Sequence, residues 1–207
     1  MKLTSAKALE LLKAEEKITP NARWISHSIC VGDSAGAIAK ALGLDEDKAK
    51  TLGYIHDIGK RNGNHTNIIP HEVAGYEYLL NLGVDNEYAS ICITHSYLNN
   101  DINCVAGGVP SKERFKYDFV RNFVKEHEYN DYEKLINLCD LMCTNIPMLL
   151  EQRIIEIMLR RGHHENTIYH ITEAQKLKKY FDEKLGYNLY KLFPDIHYNY
   201  DKTIKYD

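Results

Sequence analysis

Apolar residues recur at three- and four-residue spacing along most of the chain, whereas the two-residue alternation of half-buried strands is almost absent. This periodicity predicts an all-α protein, a single-domain helical bundle. Helices are predicted at about residues 5–17, 20–42, 46–58, 70–82, 85–95, 111–126, from 131 onward, up to 162, and 172–185.

Residues with special backbone preferences mark the ends of these helices. Pro20 is predicted to be the first residue of the second helix, and Gly59 to end the third in the left-handed conformation. Asn130 and Glu133 have the spacing of a capping box. Pro147 must end or kink the helix that follows, because it has no backbone N–H and clashes with the preceding turn.

No repeat or linker divides the chain, so one domain is predicted over residues 1–207. Residues 96–110 lack a helical period and contain two adjacent glycines. They form the longest predicted loop and are a candidate lid.

Composition narrows the class of protein. With 44% apolar and 27% charged residues, the chain is expected to fold as a globular protein. A net charge of −3 disfavours binding of a nucleic-acid polymer. No apolar run approaches the length of a membrane span, and charged residues interrupt the N-terminus, so we expect a cytoplasmic protein that does not bind membranes. The 5 cysteines lack CxxC spacing and are expected to be buried thiols.

The 10 histidines are the unusual feature of the composition. His56 and Asp57 end the third predicted helix on a face that should point inward. His27 lies on the inward face of the second helix. A buried carboxylate needs a cation or several hydrogen-bond donors, and a metal ion would supply the charge.

His71, His95 and Asp140 complete a set of inward-facing residues with metal-ligand chemistry. His71 follows Pro70, His95 ends a predicted helix, and Asp140 is an isolated acid in an apolar helical stretch. Taken singly, each is more often a hydrogen-bonded core residue. Together they favour a metal centre.

The order of these residues resembles the HD superfamily of metal-dependent phosphohydrolases, and residues 56–59 match its HDIG variant letter for letter. The local sequences at 56–60, 68–79, 91–96 and 136–142 are most similar to the bacterial HD-type diadenosine tetraphosphate hydrolases. The resemblance covers about residues 21–153, which would be the core of the domain, with a C-terminal helical extension at 154–207. The stretch between His95 and Asp140 is longer than we expect for those hydrolases.

The resemblance implies a dinuclear metal centre. His27, His56, Asp57 and Asp140 would bind one divalent ion, and Asp57 would bridge to a second ion bound by His71 and His95. Imidazole and carboxylate ligands suit iron, manganese, zinc, cobalt or nickel. The resemblance puts iron first.

Other residues near these motifs have two interpretations each. Lys60 either contacts a substrate phosphate, as a catalytic residue beside Asp57, or is a cation that complements a helix C-terminus. Glu72 is interpreted as a first-turn acid that stabilises its helix, with a proton shuttle as the alternative. Arg160, Arg161 and the histidines after them are interpreted as a helix end. His65 is interpreted as an exposed loop residue.

The predicted function is hydrolysis of a phosphoester or phosphoanhydride bond in a small nucleotide or dinucleotide by a metal-activated hydroxide. Some members of the superfamily with the same ligand pattern are di-iron oxygenases acting on small substrates, which is the alternative. A noncatalytic nucleotide-binding module is a third reading, disfavoured by the intact ligand set. A homodimer is possible.

Overall fold

The computed structural model describes residues 1–63 and 69–198, and these residues are helical with no regular β-strand. The all-α prediction is confirmed. The α-helices are α1 Ser5–Ile18, α2 Arg23–Ala41, α3 Glu46–Ile55, α4 His71–Asn81, α5 Asn86–Ala89, α6 Ile91–Thr94, α7 Tyr117–Glu126, α8 Asp131–Met142, α9 Leu150–Arg161 and α10 Thr167–Leu185.

Several helix N-termini are capped by the side chains that the sequence predicts. Asp45 accepts a hydrogen bond from the backbone of Lys48 and caps α3. Asn130 and Glu133 form the predicted capping box at α8. The helix that contains Asp140 ends before Pro147, in agreement with the missing backbone donor of proline.

Several predicted boundaries are wrong. α2 begins at Arg23 and not at Pro20, because Asn21 adopts a positive φ of 61° that interrupts the helix. The predicted helix over 85–95 is two short helices separated at Ser90. The helix predicted from residue 111 begins at Tyr117 and follows a series of turns.

Small residues let α2 and α3 pack with their backbones in contact. A Cβ atom at Gly53 would lie 2.4 Å from the Cα of Gly32, and a Cβ at Gly32 would lie 2.3 Å from Cδ1 of Tyr54. This close approach brings His27 on α2 near His56 at the end of α3.

Gly59 has a different role from the predicted left-handed helix stop. α3 ends at Ile55, Gly59 lies in the 3₁₀ helix Ile58–Gly63, and its φ is not positive. A Cβ at position 59 would lie 1.8 Å from the backbone oxygen of His71. Gly59 therefore allows α4 to begin directly against the turn that follows Asp57.

The segment between α6 and α7 packs as part of the core. Tyr97, Ile102 and Val105 are buried in a second hydrophobic cluster with residues of α4, α6 and α7. The larger cluster includes residues from Leu3 to Ile196. The candidate lid at 96–110 is thus anchored by buried apolar side chains.

Replacement of Gly59 by alanine is expected to destabilise the protein, because the new methyl group collides with backbone atoms of α4 that cannot move independently. We expect a loss of about 1–3 kcal/mol in the free energy of unfolding, as for other overpacked sites. Chemical denaturation measures this change. Gly36→Ala is the matched control, since a Cβ there meets only the flexible side chain of Lys50. Equal stabilities of the two variants would contradict this account of Gly59.

Candidate metal centre

Five helices bring the six sequence-predicted ligands together. His27 comes from α2, His56 and Asp57 follow α3, His71 begins α4, and His95 follows α6. Asp140, on α8, is the sixth. Potential ligand atoms of these residues lie within 4.8 Å of one another in three overlapping groups: His27, His56 and Asp57; His56, His95 and Asp140; and Asp57, His71 and His95.

Asp57 lies at the centre of this arrangement, and its two carboxylate oxygens face different histidines. Oδ2 lies 3.5 Å from Nε2 of His56 and 3.9 Å from Nε2 of His27. Oδ1 lies 3.3 Å from Nε2 of His71 and 3.5 Å from Nε2 of His95. The carboxylate of Asp57 therefore joins two half-sites. The first contains His56 and His27, and the second contains His71 and His95.

Asp140 closes the first half-site. Nε2 of His27 lies 2.7 Å from Oδ1 of Asp140, and Nε2 of His56 lies 3.7 Å from the same oxygen. Burial alone would raise the pKa of Asp140, but the contact with His27 and the surrounding imidazoles outweigh it and lower the pKa. Asp140 is consequently ionised near neutral pH.

All four histidines turn Nε2 toward the centre and Nδ1 toward a protein oxygen. The Nδ1 distances are 2.7 Å to the Gly53 carbonyl for His56, 3.1 Å to the Ile91 carbonyl for His95, 3.3 Å to the Thr144 carbonyl for His27, and 3.3 Å to Glu72 Oε2 for His71. The three backbone carbonyls can accept the Nδ1 proton, which leaves the lone pair on Nε2 of His56, His95 and His27. The carboxylate of Glu72 lies at ion-pair distance from Nδ1 of His71. Histidines that bind metals are held in this way.

Two buried atoms of the centre lack a hydrogen-bond partner among the described residues. These atoms are Nε2 of His56 and Oδ1 of Asp57. Leaving such groups unpaired is costly, so their presence side by side fits a site that binds a cation. Within the described chain, the donor set of imidazoles and carboxylates suits a divalent transition metal.

The protonation states of the buried histidines and of Asp57 favour metal binding. Burial lowers the pKa of His56 to about 3 and also lowers the pKa of His95, so both imidazoles are neutral near pH 7. Burial alone would raise the pKa of Asp57, but Lys60, His56 and His71 together hold it well below its ordinary value. Neutral imidazoles and ionised carboxylates are the forms that bind metals.

Lys60 belongs to the centre. Its ammonium group contacts Oδ2 of Asp57, and α3 has already ended five residues earlier, at Ile55. These contacts favour a role of Lys60 at the centre over the role of a cation at a helix terminus. Its side chain is 28% exposed, so it lies between Asp57 and solvent.

The centre is closed at its base and open at one side. The side chains of His56, Asp57 and His95 are 0%, 2% and 3% exposed. Those of His27, His71 and Asp140 are 14%, 27% and 26% exposed. A ligand must therefore approach past this second group, on the side where Lys60 also lies.

The other histidines of the described chain lie outside the three ligand groups. His127 contacts Glu133, His164 contacts the Val105 carbonyl, and His170 is buried beside α9. His163 and His197 are exposed. His65 lies outside the described residues.

Sequence reasoning missed supporting residues around the ligands. Glu72 is 1% exposed and contacts His71, so it does more than stabilise the first turn of α4. Its partners Arg114 and Tyr97 come from the segment between α6 and α7. Asn137 donates hydrogen bonds to the carbonyls of Thr94 and His95. The first-turn position of Glu72 was a signal; the others depend on tertiary contacts.

Arg161 is the last residue of α9, as the sequence predicts, and its charge interacts with two acids of the centre. Partial desolvation lowers its pKa, as does Arg160, while the charges of Asp140 and Asp57 raise it. A Cβ at Gly107 would lie 2.5 Å from its Nη1. Among the described residues, its guanidinium has no ion-pair partner.

Sequence comparison finds ribonuclease Y proteins among the relatives of this chain. Ribonuclease Y of Fervidobacterium nodosum is 38% identical over 76 residues, which are 34% of this chain and 14% of that protein. Ribonuclease Y of Lactobacillus helveticus is 37% identical over 91 residues, which are 42% of this chain and 14% of that protein. The matches thus span a small part of these relatives. No solved structure matches the chain significantly.

The described helices include none that is long and apolar enough to cross a membrane. A family match extends over residues 24–158, well over half of the chain, and includes all six clustered histidines and aspartates. This protein therefore belongs to the HD domain family.

Proposed function

We propose that this protein is a metal-dependent phosphohydrolase that cleaves a phosphoester or phosphoanhydride bond in a nucleotide or dinucleotide. The observation that carries the proposal is the position of Asp57, whose two oxygens face two separate pairs of histidines. A carboxylate in this position is suited to bridge two ions. Membership of the HD family supports a hydrolase.

The proposed ligands divide into two half-sites. One ion would be bound by His27, His56, Asp57 and Asp140. The other would be bound by Asp57, His71 and His95. Iron is our first candidate, with manganese, zinc, cobalt and nickel as alternatives. When bound, such ions lower the pKa of water to near 7 and polarise phosphoryl oxygens.

The chain's own residues would bind and orient the substrate. The exposed side of the centre carries Lys60, whose ammonium group can contact a nonbridging phosphate oxygen as a point charge. Arg161 can donate two parallel hydrogen bonds to a phosphate, because it has no acidic partner among the described residues. The buried side, formed by His56 and His95, excludes bulk water from behind the reacting phosphorus.

The substrate is proposed to be a small nucleotide. The local sequence motifs are most similar to diadenosine tetraphosphate hydrolases, and the net charge of −3 offers little attraction to a polymer backbone. The ribonuclease Y relatives act on RNA by name, so RNA must be tested as well. A homodimer in the cytoplasm remains part of the proposal.

Ligand substitutions test the division into two half-sites. After chelation and reloading with Mn²⁺, elemental analysis of the native chain is expected to give two ions per chain. His71→Ala should lose one ion, whereas Asp57→Asn should reduce the occupancy of both, because the two oxygens of Asp57 face different half-sites. His163→Ala, at an exposed position, is the control and should keep two ions. Retention of two ions by Asp57→Asn would contradict the bridging role.

Activity should depend on metal and on the centre. The Mn²⁺- or Fe²⁺-loaded chain is expected to hydrolyse at least one of the dinucleoside polyphosphates, nucleoside mono- or triphosphates, or cyclic dinucleotides, measured by chromatography of the products. Chelation and the His56→Ala substitution should each abolish this activity. Cleavage of single-stranded RNA alone would overturn the small-substrate proposal. Absence of all hydrolysis, with substrate-dependent oxygen uptake by the iron form, would support the oxygenase alternative.

Arg161→Ala tests the proposed phosphate contact. A hydrogen bond to a charged group contributes about 1.5–3 kcal/mol, so we expect the KM to rise roughly tenfold or more with a smaller change in kcat. Arg160→Ala is the matched control, because Arg160 already pairs with Glu156 on the surface of α9. Similar steady-state kinetics for both variants would exclude this role for Arg161.

A further inference from the structure

Two side chains from the segment between His95 and Asp140 lie next to the second half-site. Arg114 lies in the turns before α7, and Tyr97 lies two residues after His95. Both contact Glu72, the residue that follows the proposed ligand His71.

Glu72 is held by three groups. Nη1 of Arg114 lies 2.8 Å from Oε1 of Glu72, and Nη2 donates to Oε2 at 3.2 Å. The hydroxyl of Tyr97 donates to Oε1 at 3.1 Å, and Nδ1 of His71 lies 3.3 Å from Oε2. One oxygen of Glu72 thus faces Tyr97 and the other faces His71, while the guanidinium spans both.

Two of these groups are buried, which makes an unpaired charge costly. The side chain of Glu72 is 1% exposed and Tyr97 is 1% exposed, whereas that of Arg114 is 30% exposed. A buried carboxylate without a cation is strongly unfavourable, and Arg114 is the cation that pairs with Glu72.

We infer that Arg114 and Tyr97 are positioning residues for the second metal ion, acting through Glu72 on His71. The guanidinium fixes the carboxylate, and the carboxylate fixes the His71 ring with Nε2 toward Asp57. This inference rests on the proposed ligand role of His71. It assigns to the segment at 97–114 the completion of one half-site only, because none of its described contacts reaches His27 or Asp140.

Calorimetric titration of the metal-stripped chain with Mn²⁺ tests the inference. Two binding events are expected for the native chain. In Arg114→Ala one of the two events should lose 10–100-fold in affinity, the usual effect of removing a group that orients a ligand, while the other event is unchanged. Arg114→Lys should give an intermediate loss, because an ammonium group cannot bind both oxygens at once.

Two further variants keep the test decisive. Arg121→Ala is the matched control, since Arg121 pairs with Asp118 at the surface of α7 and should leave both events unchanged. Tyr97→Phe removes one hydroxyl with little change in volume and should weaken the same event as Arg114→Ala, by a smaller factor. If thermal melting shows that Arg114→Ala does not fold, Tyr97→Phe provides the test on its own.

The outcomes separate this inference from the proposed function. A native chain that binds no Mn²⁺ would overturn the proposed metal centre itself. A native chain with two events, together with folded Arg114→Ala and Tyr97→Phe variants that bind both ions with native affinity, would overturn only the positioning role. Equal weakening of both events would show that these residues support the fold and not one half-site.

Discussion

The buried carboxylate of Asp57 is the constraint on which the rest of the structure depends. An ionised acid that is about 1% exposed is stable only if cationic or hydrogen-bonding groups surround it. Lys60 and the four histidines converge on it from three helices and two helix ends. Because each oxygen faces a different pair of imidazoles, satisfying this one carboxylate also defines two half-sites. The chemistry proposed for the protein and the packing of its central helices are therefore consequences of the same requirement.

Two kinds of packing make this convergence possible. Glycines at the α2–α3 contact and at position 59 remove the side chains that would keep the backbones apart, and so bring His27 and His71 within reach of Asp57. Hydrogen bonds from the imidazole Nδ1 atoms to backbone carbonyls then fix the direction of each ring. Steric fit decides the distance between elements, and hydrogen bonding decides which ring nitrogen faces the centre.

Local sequence patterns accounted for most of the helices and for the six clustered residues. Helix periodicity placed His27, His56 and Asp140 on inward faces, and the HDIG match suggested how they combine. The predicted helix ends are wrong where a local preference competes with a neighbouring residue or with another element. Pro20 has a good first-turn preference, but the positive φ of Asn21 delays α2. Gly59 resembles a helix stop, whereas its real constraint is the backbone of His71, which approaches from another element.

The sequence alone thus determined the helical class, the inward positions of the histidines and aspartates, and their metal-ligand chemistry, because these properties follow from periodicity and side-chain type. Only the tertiary structure decided that Asp57 faces both pairs of histidines and that Arg114 pairs with Glu72. These contacts join residues far apart in the chain. Their distances depend on how helices pack and on which buried charges must be compensated, and neither is encoded in any local pattern.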